Sequence, residues 1–152
     1  MNEQFSKTIA IHSKADEVWH LLTDPSLMSL WMGEEEMHIE VYTNWEVGSP
    51  ITVKGSHHGK FENSGVVLHF EPQKKLIYTH LSSVSRLADS PENYSIFEFT
   101  LAPTNGMTQL EVTIKNFPTK VIRKHLELYW GSTLTVIKNT VEKSKHDNDG
   151  NG

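Results

Sequence analysis

Two periodicities divide the chain. From Phe5 to about residue 116, apolar residues mostly alternate with polar ones. From Pro118 to Lys145 they recur at Ile122, Leu126, Trp130, Leu134, Ile137 and Val141. Steps of four and three place those six on one face of a helix. Lys124, Glu127, Lys138 and Glu142 lie largely between them, so the spacing predicts a long helix with one buried stripe.

The alternating part begins at Phe5–Ile11, where Phe5, Lys7, Ile9 and Ile11 share one face of a predicted strand. Ser13 is the expected N-cap of a helix carrying Ala15, Val18, Trp19 and Leu22, with Asp16 and Glu17 in its first turn. Thr23-Asp24-Pro25 stops that helix, and Pro25 opens a second short one, Ser26 to Trp31. Period two then takes over: Met37, Ile39 and Val41, next Ile51 and Val53, then the long stretch Lys60 to Phe70, where Gly65 predicts a bulge or bend. Leu76, Tyr78 and His80 alternate in the following strand, Phe97, Phe99 and Leu101 in the next. Thr104-Asn105-Gly106 predicts a hairpin turn into Thr108, Leu110, Val112 and Ile114. Strands joined by short turns favour an antiparallel meander. Its apolar face needs a cover, and the final helix is long enough to supply one. One α+β domain over residues 1–145 is expected, with a disordered tail at 146–152, which holds no apolar residue.

Composition narrows the function classes. With 152 residues the chain can bury a core without a staple, and with no cysteine it has no disulfide or thiolate chemistry. No apolar run nears the ~20 residues of a membrane span, and the N-terminus lacks a signal-peptide core. The net charge of −5 argues against nucleic acid as a partner. A cytoplasmic location is the expectation.

Few groups suggest chemistry. His57-His58 sits in a predicted turn, and Glu34-Glu35-Glu36 reads as a solvated loop, so no metal site is expected. No nucleophile constellation and no phosphate-binding glycine motif occurs, so no cofactor is expected. His80 shares its parity with Leu76 and Tyr78 and points inward; the orientation of His69 depends on register around Gly65.

Four stretches carry a family resemblance: Ala15-Asp16-Glu17-Val18-Trp19-His20-Leu21-Leu22-Thr23-Asp24-Pro25 with Trp31; Trp45-Glu46-Val47-Gly48-Ser49-Pro50-Ile51; Gly65-Val66-Val67 through Glu71-Pro72 to Leu76-Ile77-Tyr78-Thr79-His80; and Asp89 to Tyr94 together with Tyr129-Trp130-Gly131. In this order they resemble the START-like (SRPBCC) superfamily, and within it the bacterial family named after the activator of the heat-shock-protein ATPase. Ser49-Pro50 departs from the further glycines of many relatives. The resemblance implies a helix-grip fold: a curled antiparallel sheet wrapped around a long C-terminal helix, with two short helices after the first strand. It also implies a cavity between helix and sheet where superfamily members hold lipid-like or aromatic molecules.

On that fold, Trp31, Tyr78, His80, Tyr129 and Thr133 are the expected ligand-binding wall. Tyr129 stands one residue off the main helical stripe and Thr133 one turn further on. Binding of a small apolar molecule is the leading expectation. Two alternatives remain: a cyclase- or aromatase-like enzyme using His80 and Tyr78 as general acid–base groups, and a module that contacts a chaperone.

Overall fold

A computed structural model describes residues 3–150, with side chains described to Ser144. Its elements are β1 (Gln4–Ile11), α1 (Ala15–Thr23), α2 (Pro25–Met32), β2 (Glu40–Tyr42), β3 (Pro50–Ser56), β4 (Lys60–Glu71), β5 (Lys75–Ser82), β6 (Ser95–Thr104), β7 (Met107–Lys115) and α3 (Lys120–Gly150). The fold is an α+β helix-grip, with a curled seven-stranded antiparallel sheet in the order β1-β7-β6-β5-β4-β3-β2. The strands from β2 to β7 form the expected meander. The first strand crosses to the far edge and pairs with the last, Ile9 opposite Leu110.

The β6–β7 turn is Asn105-Gly106, both with positive φ (50° and 79°), as a two-residue primed hairpin requires. At β4 the sheet bends. A Cβ on Gly65 would lie 1.7 Å from the carbonyl oxygen of Thr79, so the two backbones approach as only glycine permits. The Val66 N–H donates to Thr79 Oγ1 at 2.8 Å instead of to a ladder carbonyl. Register then slips by one residue between Val67 and His69. The bend foreseen at Gly65 is thus a close approach followed by a bulge.

α3 lies in the curl. Leu126, Trp130, Leu134, Ile137 and Val141 are buried, as their spacing predicts, and Thr133 joins them. Trp130 stands edge to face with Phe97 at 5.6 Å and Phe99 at 5.3 Å. Phe117, just before the helix, is fully buried and stacks on Phe5 at 5.6 Å.

Several local expectations need correction. Ser13 does not cap α1: Lys14 occupies that position, and the Ser13 hydroxyl bonds to the Glu17 carboxylate instead. Ser13 is fully buried and its carbonyl accepts from Thr108 Oγ1, which turns its side chain away from the helix N–H groups. Asp24 is a true cap, accepting from the Ser26 N–H at the start of α2. Met37 belongs to a 3₁₀ turn, Glu35–Met37, and not to β2. α3 starts at Lys120, two residues after Pro118, because Thr119 Oγ1 accepts the Ile122 N–H. The α3 backbone runs to Gly150, past the expected end at Lys145. Of the tail expected at 146–152, Asn151, Gly152 and the side chains of the other residues lie outside the described residues.

Candidate functional site

A cavity of about 390 Å³ lies between the first three turns of α3 and the sheet. α3 and its lead-in contribute Pro118, Val121, Ile122, His125, Leu126, Tyr129 and Trp130. Trp31 and Met32 of α2, with Met37 and Ile39 from the link to β2, close one side. The sheet supplies Val53, Phe61, Asn63, Tyr78, His80, Ser95 and Phe97. Val84 and Val121, 71% and 78% exposed, form part of the rim.

Each polar wall group is held by its element. Alternation along β5 aims Tyr78 and His80 inward. His80 lies flat on Phe97, ring centroids 4.6 Å apart, and its strand partner is Ser95. Tyr78 packs between Phe99, at 5.8 Å, and Trp45, at 6.1 Å. Trp31 is fixed by its indole N–H, which donates to the Leu21 carbonyl at 2.9 Å. Tyr129 donates its hydroxyl to the Met32 carbonyl at 2.8 Å, tying α3 to α2.

Among the described residues no Asp, Glu, Lys or Arg lines the space. Burial holds His80, Tyr78 and Tyr129 neutral at pH 7. Burial lowers the His80 pKa to about 4, with a smaller push from His125. Burial raises the Tyr78 phenol well above its ordinary range, with a lesser contribution from Tyr129. Tyr129 is pushed up to about 12 by burial, against an opposing hydrogen bond from Thr133. By surface area His80 and Tyr129 are only half-buried, because the surface they keep faces the cavity.

Two wall residues carry polar atoms that are sealed from solvent and unpartnered, Asn63 Oδ1 and Trp130 Nε1. The hydroxyls of Tyr78 and Ser95 and the His80 ring also make no hydrogen bond among the described residues, yet they are not sealed. Since Tyr78 is 4% exposed and Ser95 2%, the surface they retain is cavity surface.

The structure thus brings Trp31, Tyr78, His80 and Tyr129 together around one space and leaves Thr133 out of it. The α3 wall ends at Trp130, whose ring stands 6.0 Å from Trp31. Three residues on, about 4.5 Å along the axis, Thr133 is buried. His125 was missed, although it stands one turn before Tyr129 on the same flank. Ser95 was missed too, although it shares strand parity with Phe97. His69 faces outward, 3.4 Å from Glu71, because the slip after Val67 rotates it off the inner face. Among the described residues no three potential metal ligands converge. No helix among them is long and apolar enough to cross a membrane.

The family model described as Activator of Hsp90 ATPase homolog 1-like protein matches residues 12–142. The chain belongs to that family. This family member resembles a Cytophaga hutchinsonii protein solved in solution, with a TM-score of 0.79 at 27% identity, over 96% of this chain and 98% of that one. A Chromobacterium violaceum protein solved by X-ray crystallography gives 0.78 at 19% identity, over 91% and 96% of the two chains. The Aha1 dimer from Colwellia psychrerythraea gives 0.72 at 19% identity, over 92% and 96%. At these identities the likeness speaks to the fold, which is START-like. No match was found among curated proteins.

Proposed function

We propose that this chain binds a small, largely apolar molecule in the cavity beneath the N-terminal half of α3. The observation that carries the reading is the space itself: about 390 Å³ between helix and sheet, unfilled by side chains. Small-molecule sites span roughly 300–1,000 Å³, with apolar walls and a few placed polar groups. Trp31, Tyr78, His80 and Tyr129 are the ligand-contact residues in this reading, and Thr133 supports Tyr129 from behind.

Thermal unfolding in the presence of apolar probes tests it. A probe at a hundred times its dissociation constant stabilises the fold by about 2.7 kcal/mol. Absence of any shift with an aromatic and an aliphatic series sinks the proposal.

A second reading follows from the outer face of α3, where Val121, Leu128 and Val136 are exposed at helical spacing. Such a line suits a protein partner, and the family description points to a chaperone ATPase. Stimulation of ATP hydrolysis by a purified Hsp90-type chaperone, lost on Leu128→Glu, is the expected outcome of that reading. Unchanged hydrolysis rules it out.

A further inference from the structure

This inference rests on the ligand-binding reading above and concerns which molecules the cavity accepts. Among the described residues its wall holds no Asp, Glu, Lys or Arg, and His125, the histidine besides His80, stands on the exposed side. An ion moved to the inner wall beside His80 sheds its hydration and meets no carboxylate, ammonium or guanidinium there, an unfavourable exchange. His80, which could have supplied a cation, is kept neutral by the same burial.

The positively polarised start of α3 lies at the rim, beside Val121, and Thr119 already caps its Ile122 N–H. An anion drawn there would sit in water at the mouth, where the helix dipole is screened.

Inside, the polar groups form a short row. Ser95 stands directly opposite His80 in the β5–β6 ladder, so their Cβ atoms lie about 5 Å apart. Tyr78 is two residues along the same face, about 7 Å away. Hydroxyl and neutral imidazole can each both donate and accept. Tyr78 and Ser95, both over nine-tenths buried, make no hydrogen bond through their hydroxyls among the described residues. A pure hydrocarbon would leave this row unpaired, and a carboxylate placed against the row would find neutral donors there.

We propose that the cavity selects uncharged molecules that carry a hydroxyl or carbonyl oxygen on an apolar body, anchored by Tyr78, His80 and Ser95, and rejects carboxylates of the same size.

The test is direct titration of the full chain at pH 7 with naphthalene, 2-naphthol and 2-naphthoate, and with dodecan-1-ol and dodecanoate. The expected result is that each alcohol binds at least tenfold more tightly than its carboxylate. Tyr78→Phe and Ser95→Ala each weaken 2-naphthol about threefold to tenfold, the range for one lost neutral hydrogen bond. Both variants leave naphthalene within about twofold, which also shows that the cavity has kept its shape. Carboxylates that match the alcohols, or variants that weaken naphthol and naphthalene alike, overturn the selectivity while the ligand-binding reading stands. Failure of every probe to bind overturns that reading, and this inference with it.

Discussion

The imidazole of His80 lies against the ring of Phe97, centroids 4.6 Å apart and planes 21° from parallel. That stacking holds the one buried titratable nitrogen base of the cavity wall on an apolar surface. It also sets how the fold responds to acid.

The folded pKa of His80 is about 4, against 6.5 for the free side chain. Between those values the unfolded chain binds a proton that the folded chain does not. Stability contributed by this site is therefore complete above about pH 6.5 and falls as pH drops toward 4. The loss is at most about 3 kcal/mol, from 1.36 kcal/mol per pKa unit. Denaturant unfolding at pH 7, 5.5 and 4.5 should show a smaller acid loss in His80→Phe than in the native chain. Parallel acid profiles would contradict the buried neutral state.

Leu134 and Ile122 sit on the same helix with different neighbours. Leu134 is 3% exposed in the core beyond the cavity's end, so Leu134→Ala should cost about 2–5 kcal/mol and leave probe binding unchanged. Ile122 lines the cavity, so Ile122→Trp should abolish binding of naphthalene while the fold persists. Thr133→Trp should instead destabilise by about 1–3 kcal/mol or more, since Thr133 is 5% exposed and does not line the cavity. Equilibrium unfolding and probe titration on the three variants separate these outcomes.

Gly65→Ala places a methyl group 1.7 Å from the Thr79 carbonyl oxygen, a backbone atom that no rotamer change can move. The expected loss is about 3 kcal/mol or more, at the large end for a single substitution. Ala at Gly48, where a Cβ meets nothing within 4 Å, faces only the cost of its φ of 90°. A Gly65→Ala protein as stable as Gly48→Ala would refute the close approach.

Tyr129→Phe removes the hydrogen bond to the Met32 carbonyl, along with the one from Thr133, and leaves the ring in place. A loss of about 1 kcal/mol is expected, together with faster amide exchange in α2 than in α1. Equal exchange in both helices would mean that this contact does not hold α2 against α3.

Much of this arrangement was legible because the relevant signals are periodic. Steps of three and four named the buried stripe of α3 from Leu126 to Val141. Parity along β5 turned Tyr78 and His80 inward. What stayed hidden depends on contacts between segments far apart in sequence. The orientation of His69 hangs on a one-residue slip in β4 after Val67. Ser13 has the right residue type for a cap, but burial under β7 claims it. Thr133 fits the flank of the cavity by spacing, and only the meeting of Trp31 with Trp130 ends the cavity before it. His125 was within reach of the same spacing argument, one turn ahead of Tyr129.

The pairing of β1 with β7 has a consequence for how the molecule is made. Gln4 finds its partner only at Lys115, and Ile11 at Thr108. Such contacts between distant residues raise contact order and slow folding. During synthesis the first strand must wait, with its ladder groups bare, until nearly the whole sheet has left the ribosome. At 5–20 residues per second that wait is roughly 5–20 seconds. The curl is completed by the same late event and the cavity wall only by α3 after it, so a nascent chain has no interior to offer a ligand until β7 and then α3 arrive.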